Sequence, residues 1–369
     1  MNIAIASTFH PYRGGIAAFN DRLALSLKDA GHNVHCLNWS RQYPSLLFPG
    51  ETQTISGHNR PKGSDAPLDS INPRSWRSTA KRILEKGDIE ILILPFWHAS
   101  LAPALRSVAK RVKKLSPNTR VVALMHNASS HDGSSVDKWL TKRFLKQVDS
   151  AITLSDSVKN GVIKLRSDLD CKVLFHPLYD HYTPAINKDE ARAKLGISSE
   201  VDLGLFFGLI RPYKGLDVLL ESMANTSNHL LIAGESYENW GNYSKLIDKY
   251  NLGDRIHTIS RFVDEDELPV IFGASDCLIL PYKKASQSGV VATALHYNTP
   301  IIASRVGDLE NSVIEGKTGK LVHPQRAEEL GDAINDWFSN PQSKDSVSKE
   351  YRTIKEEKSW SKFADQLLI

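Results

Sequence analysis

Phe206 to Leu219 reads FFGLIRPYKGLDVL. An apolar run closes on Gly208, a basic turn follows, and an amphipathic segment starts at Gly215. This is the order of a buried strand, a tight turn and a helix start. Arg211 and Lys214 both fall in the turn. A helix N-terminus beside two fixed cations suits a diphosphate. An ordinary strand–turn–helix with two solvated charges has the same local pattern, so a second loop has to decide between them.

Outward from this stretch, short apolar runs alternate with helical periodicity. The rear half predicts strands at Leu203–Phe207, His229–Ala233, Ile256–Ser260, Asp276–Leu280, Pro300–Ser304 and Gly319–Val322, with helices between them. The front half predicts strands at Asn2–Ser7, Asn33–Asn38, Ile89–Pro95, Arg120–His126, Ser150–Thr153 and Lys172–Phe175. Its helices are expected at Ala17–Ala30, Pro73–Lys86, Ala102–Lys114 and Val136–Lys146. Such alternation means parallel sheets covered by helices on both faces. Pro177 to Ile186 interrupts the rhythm and reads as a linker. The expectation is α/β: two Rossmann-like doubly wound domains, 1–180 and 181–345, facing a central cleft. A charged, then amphipathic segment, 346–369, completes the chain. Residues 40–75 carry no clear period and read as a long loop or an insertion.

The chain has 369 residues, 41% of them hydrophobic and 24% charged, enough for two cores and unlike a disordered chain. The net charge of +4 hides an asymmetry: residues 1–180 hold 25 Lys/Arg against 15 Asp/Glu. A basic front half favours an anionic partner. Cys36, Cys171 and Cys277 follow no metal-ligand spacing and suit a reducing compartment. No run approaches the ~18 apolar residues of a membrane span. The opening strand lacks a secretion signal. These readings predict a cytoplasmic protein, with any membrane contact peripheral and on the inner face.

Ligands of open α/β sheets sit beyond the carboxyl ends of the strands. Gly14–Gly15 precede a helix there, where paired glycines admit a ligand close to the backbone. Their spacing is not that of a dinucleotide fingerprint. Trp97–His98 follow the third front strand, as a sugar platform or as strand-end packing. His126 and Asn127 close the fourth, and His126 suits either the cleft or the core. His131–Asp132 read as a surface pair. In the rear half, Gly234–Glu235 follow another strand at the same end of the sheet. The decisive loop is Tyr282 to Gly289, YKKASQSG, where Gln287, Ser288 and Gly289 lead into a helix at Val290. Amides there face the same point as Arg211 and Lys214. Two helix starts and two cations suit a pyrophosphate leaving group, because preorganised positive potential stabilises developing negative charge.

On these motifs the chain resembles the retaining, nucleotide-sugar-dependent glycosyltransferases of family 4, with the GT-B fold. The carriers are Gly14–Gly15, His126–Asn127, GLIRPYKGLDVLLES at Gly208–Ser222, Gly234–Glu235, LPYKKASQSG at Leu280–Gly289 and TPIIASRVGDLE at Thr299–Glu310. The resemblance implies that Arg211 and Lys214 bind the donor diphosphate, completed by Ser288, Gly289 and Val290. Gly15 approaches the diphosphate from the first domain, and His126 touches the donor sugar. Phe262 and Val263 hold the base, and the C-terminal segment crosses back to the first domain. Ala285 and Thr293 stand where most of the family has glutamates, as in a subgroup with QSG here, and Gln287 is the candidate replacement.

The expected activity is transfer of a hexose from a nucleoside-diphosphate sugar to a hydroxyl of a glycan or lipid-linked saccharide, with retention, in assembly of bacterial-type surface polysaccharides or glycoconjugates. Trp97, His98 and Asn127 are the acceptor-side candidates. No carboxylate cluster calls for a metal, so metal-independent chemistry is expected, with no cofactor beyond the nucleotide-sugar co-substrate. A basic helix at Ala102–Lys114 adds an anionic membrane surface as an expected partner. Nucleic acid is not expected, since the basic residues lack interleaved aromatics. The competing readings are a nucleotide-sugar epimerase and a non-catalytic sugar-nucleotide-binding protein.

Overall fold

Successive side chains of a strand point to opposite faces, and the first strand shows why both faces must be covered. Ile3 and Ile5 enter one core and Ala4 and Ala6 the other, all of them buried. The computed structural model describes residues 1–43, 52–55, 58–59, 62–63, 65–128, 134–285 and 288–368. It divides the chain into two units, Met1–Phe175 with Ser359–Ile369, and His176–Lys358.

The first unit contains β1 (Asn2–Ala6), β2 (Asn33–Leu37), β3 (Trp39–Arg41), β4 (Leu68–Asp69), β5 (Ile91–Phe96), β6 (Arg120–Met125), β7 (Ser150–Thr153) and β8 (Asp170–Val173). Its helices are α1 (Gly15–Asp29), α2 (Pro73–Leu84), α3 (Ala102–Leu115), α4 (Ser135–Leu145) and α5 (Asp156–Leu165). Six strands form a parallel sheet in the order β2-β1-β5-β6-β7-β8. On one face lie Ala80, Ile83, Leu105, Val108 and Phe144 of α2, α3 and α4. β3 and β4 pair separately, inside the stretch expected to be loop, and Arg41 holds Asp69 with two guanidinium nitrogens.

The second unit contains α6 (Lys188–Leu195), β9 (Leu203–Phe207), α7 (Leu216–Met223), β10 (His229–Ala233), α8 (Gly241–Lys249), β11 (Ile256–Ile259), α9 (Leu268–Ala274) and β12 (Cys277–Leu280). It continues with α10 (Gly289–His296), β13 (Ile301–Ser304), β14 (Gly319–Val322), α11 (Ala327–Ser339) and α12 (Lys344–Glu357). The strands are all parallel in the order β11-β10-β9-β12-β13-β14. This is the doubly wound dinucleotide-fold order, with its reversal between β9 and β12.

The last helix, α13 (Trp360–Leu368), belongs to the first unit. Its Trp360, Phe363 and Leu367 fill the other face of that sheet with Phe19, Leu23 and Leu27 of α1, and Ser26 Oγ donates to the Trp360 carbonyl. The divisions fall at 175/176 and 358/359, whereas the sequence predicts them at 180 and 345. Two contacts account for the difference. Leu178 N–H donates to the Lys358 carbonyl. Tyr351 of α12 is buried with its hydroxyl directed to the carbonyls of Thr299 and Thr318, so α12 stays with the second unit.

Candidate functional site

Beyond β9 the chain turns at Gly208, whose φ of 94° suits glycine. The turn is stitched to the exit of β10: Gly208 N–H donates to Ala233, Ile210 N–H to Glu235, and Tyr237 N–H to Ile210. A Cβ on Gly234 would lie 2.1 Å from the Gly208 carbonyl oxygen, so only glycine allows this approach. Arg211 then caps a single 3-10 turn, Pro212–Lys214, and Gly215 leads into α7. The Arg211 guanidinium lies over the Tyr237 ring, 4.6 Å from its centre.

Lys214 is buried. A Cβ on Gly208 would sit 3.2 Å from both Lys214 Nζ and Val290 Cγ2, so the ammonium, the bare glycine and the start of α10 meet at one point. Burial lowers the Lys214 pKa, and the neighbouring Arg211 charge adds to that. The ammonium faces the Tyr282 ring at 5.5 Å.

The exit of β12 supplies the opposite wall. Tyr282 is buried there, and its hydroxyl shares a hydrogen bond of 3.3 Å with Ser288 Oγ. Ser288 gives no side-chain cap to α10. The first amides of an uncapped helix are natural anion donors. Lys283 holds the two loops in register: its N–H donates to Tyr213 O, and its ammonium pairs with Asp217 at 2.6 Å. Gln287 lies outside the described residues, as do His131 and Asp132.

Gly289 is bare on its other side too. A Cβ there would stand 3.2 Å from Tyr179 Oη and 4.0 Å from His176 Nε2. Burial drives the His176 pKa down to about 4 and the Tyr179 pKa upward. Thr293 is buried one turn on, bonded to the Gly289 carbonyl and to Tyr182, and presents no carboxylate. Phe262 and Val263 follow β11, beside an Arg261–Glu267 ion pair.

In the first unit the order reverses between β1 and β5. Gly14 and Gly15 are exposed at the start of α1, with Gly14 at φ 104° and no side-chain cap. Asn20 and Asn38 hold the preceding loop through the carbonyls of Thr8, Phe9 and His10. Trp97, His98 and Asn127 come together: Asn127 Nδ2 donates to the Trp97 carbonyl, and Tyr43 accepts from Trp97 Nε1 at 2.8 Å and meets His98 edge-on. His126 is buried at the end of β6, edge-on to Phe19 with ring centres 4.9 Å apart.

Sequence reasoning passed over Tyr282, Tyr237, Tyr179 and Tyr43. Tyr282 carried a signal, as the second residue beyond a buried strand in the decisive loop. The others are distant in sequence from what they support.

Parallel doubly wound sheets in two units of one chain are the architecture of the GT-B class, and the structural likenesses place the chain in it. The chain resembles sucrose-phosphate synthase from Thermosynechococcus elongatus with a TM-score of 0.74 and 18% identity, over 100% of this chain and 97% of that one. It resembles the Anabaena HepE protein in complex with UDP at 0.71 and 16%, over 100% and 98%. Both likenesses are of fold. A D-inositol 3-phosphate glycosyltransferase of Corynebacterium aurimucosum is 28% identical over 203 residues, 51% of this chain and 47% of that one, so the chain spans about half the length of such curated relatives. Residues 13–174 match the family described as Glycosyltransferase Family 4, and residues 187–354 match Glycosyl transferases group 1. The chain belongs to the group 1, family 4 glycosyltransferases.

Proposed function

We propose that this protein is a retaining hexosyltransferase that takes a hexose from a nucleoside-diphosphate sugar. The observation that carries this is the meeting of Lys214, Gly208 and the uncapped start of α10 at the reversal between β9 and β12. In this reading the α10 amides, Lys214 and Arg211 grip the diphosphate and stabilise it as it leaves. Gly234, Glu235, Phe262 and Val263 belong to the nucleotide side. Gly14, Gly15 and His126 serve the sugar-transfer step, and Trp97, His98 and Asn127 receive a glycan or lipid-linked acceptor. The departing phosphate oxygen takes the acceptor proton, with no metal and no resident cofactor. The neighbouring folds that hold UDP or UDP-glucose support the donor class. Assembly of a surface polysaccharide or glycoconjugate is the setting this chemistry fits.

A donor panel tests the reading. Release of nucleoside diphosphate with an anomerically retained product supports it, and an altered sugar still joined to its nucleotide overturns it in favour of epimerisation. Thr293 and Ala285 in place of carboxylates favour one further reading, a binding protein without turnover. Donor binding with neither reaction decides for that one.

A further inference from the structure

The outer layer of the first unit carries a charge density that donor binding does not explain. α2, α3 and α4 lie side by side, and together they hold twelve Lys/Arg and a single acid, Asp137. Asp137 is engaged in the capping box of α4. Lys81 pairs with Glu85 and Lys113 with Asp149, and the other ten cations have no ion-pair partner among the described residues.

Apolar exposure is concentrated on the same layer. Of six large apolar side chains exposed among the described residues, Val136 and Trp139 stand on α4, and Ile71 and Leu115 lie at the ends of α2 and α3. On α4 the exposed Val136, Trp139 and Arg143 follow one stripe at helical spacing. Lys138, Lys142 and Lys146 recur every fourth residue and form a second stripe beside it. Arg143 lies over the Trp139 ring at 4.3 Å, presenting an indole with a cation above it. An amphipathic aromatic ring among lysines is the composition of an interfacial membrane anchor.

We propose that the α2–α3–α4 face docks on a bilayer containing anionic phospholipid, with Val136 and Trp139 entering the headgroup region and the lysine stripes meeting the lipid phosphates. A nucleic-acid partner fits less well, because one exposed tryptophan cannot make a run of base-stacking platforms. The proposal is independent of the donor chemistry.

The test is sedimentation of the full chain with phosphatidylcholine vesicles, with and without phosphatidylglycerol. Binding is expected only to the anionic vesicles and is lost at about 1 M salt, where screening is nearly complete. Each neutralised cation lowers partition about fivefold, so Lys138→Glu with Lys142→Glu lowers it at least about 25-fold. Trp139→Ala lowers it severalfold, whereas Lys245→Glu on the second unit leaves it within about twofold of the parent, because the lipid contribution falls off within a Debye length. Thermal melts confirm that each variant is folded, and donor turnover without vesicles stays unchanged, which separates failure here from failure of the donor reading. Equal binding to neutral vesicles, no binding, or binding indifferent to the α4 variants overturns the proposal. So does displacement of vesicles by an oligonucleotide whose own binding ignores Trp139→Ala.

Discussion

Lys214 and Tyr282 form a face-on pair, the ammonium 5.5 Å from the ring centre. They come from the exits of β9 and β12, the two strands between which the order reverses. The ring supplies negative face charge to a cation that burial has stripped of water, an interaction of about 0.5–2 kcal/mol. Through its hydroxyl the same tyrosine reaches Ser288. One side chain thus sets both the cation and the helix start.

Lys214→Ala should lower kcat by about 10²–10³ while the protein remains folded, because a preorganised charge is lost and a buried ammonium removed. Tyr282→Phe keeps the ring and gives up one hydrogen bond, worth about 0.5–1.5 kcal/mol. It should stay within roughly tenfold of the parent, and Tyr282→Leu should fall well below it. Nucleoside-diphosphate release, read beside thermal melts, checks the order. A fully active Lys214→Ala removes the proposed role.

Acid should weaken the second unit through His176. An unfolded histidine titrates near 6.5, while burial holds this one at about 4. Between those values the unfolded chain binds the extra proton, so stability falls as pH drops through the window and levels off below it. The whole window corresponds to about 3 kcal/mol. Denaturant titrations between neutral pH and pH 4 should show the slope, and His176→Gln should flatten it. An unchanged slope would assign the effect to another group.

Two glycines at turns should respond unequally to alanine. Gly215 has φ 71°, and a Cβ there would lie 2.1 Å from the Pro281 carbonyl oxygen. Gly14 has φ 104° but open space around it. Gly14 has ψ 165°, a region that residues other than glycine rarely enter, so Gly14→Ala should cost about 1–3 kcal/mol of backbone strain. Gly215→Ala should cost more, about 3–5 kcal/mol, since backbone must also move. Equal shifts in melting temperature would contradict the crowding at Gly215.

Phe363→Ala should destabilise the first unit by about 3–5 kcal/mol. Its ring is buried edge-on to Phe19 at 5.7 Å. Hydrogen exchange should then rise in α1 and β1, and a change confined to residues 359–368 would argue against this packing.

Much of the fold was legible because parallel strands buried on both faces leave continuous apolar runs. Leu203–Phe207, His229–Ala233 and Gly319–Val322 were readable to the residue. Helix α5 was not, since Asn160–Gly161 in its middle reads as a turn. Gly161 is there for closeness, as a Cβ would lie 2.6 Å from Ala128 Cβ. β3 and β4 escaped because two- and three-residue strands leave no period, and only the distant Arg41–Asp69 pair marks them. At the site, the charged and glycine positions announced themselves by turn chemistry. Tyr179 and His176 did not, because their place beside Gly289 is set by the path of the chain through 176–186 rather than by local pattern.

The placement of α13 has a consequence for biosynthesis. The strands of the first unit cover part of the apolar face of α1, but the α13 side chains that complete the cover arrive only after residues 176–358 have been translated. At ribosomal speeds of about 5–20 residues per second, that wait is roughly ten to forty seconds. The nascent first unit spends it with Phe19 lacking the Trp360 and Phe363 rings, an interval in which a chaperone has something to hold.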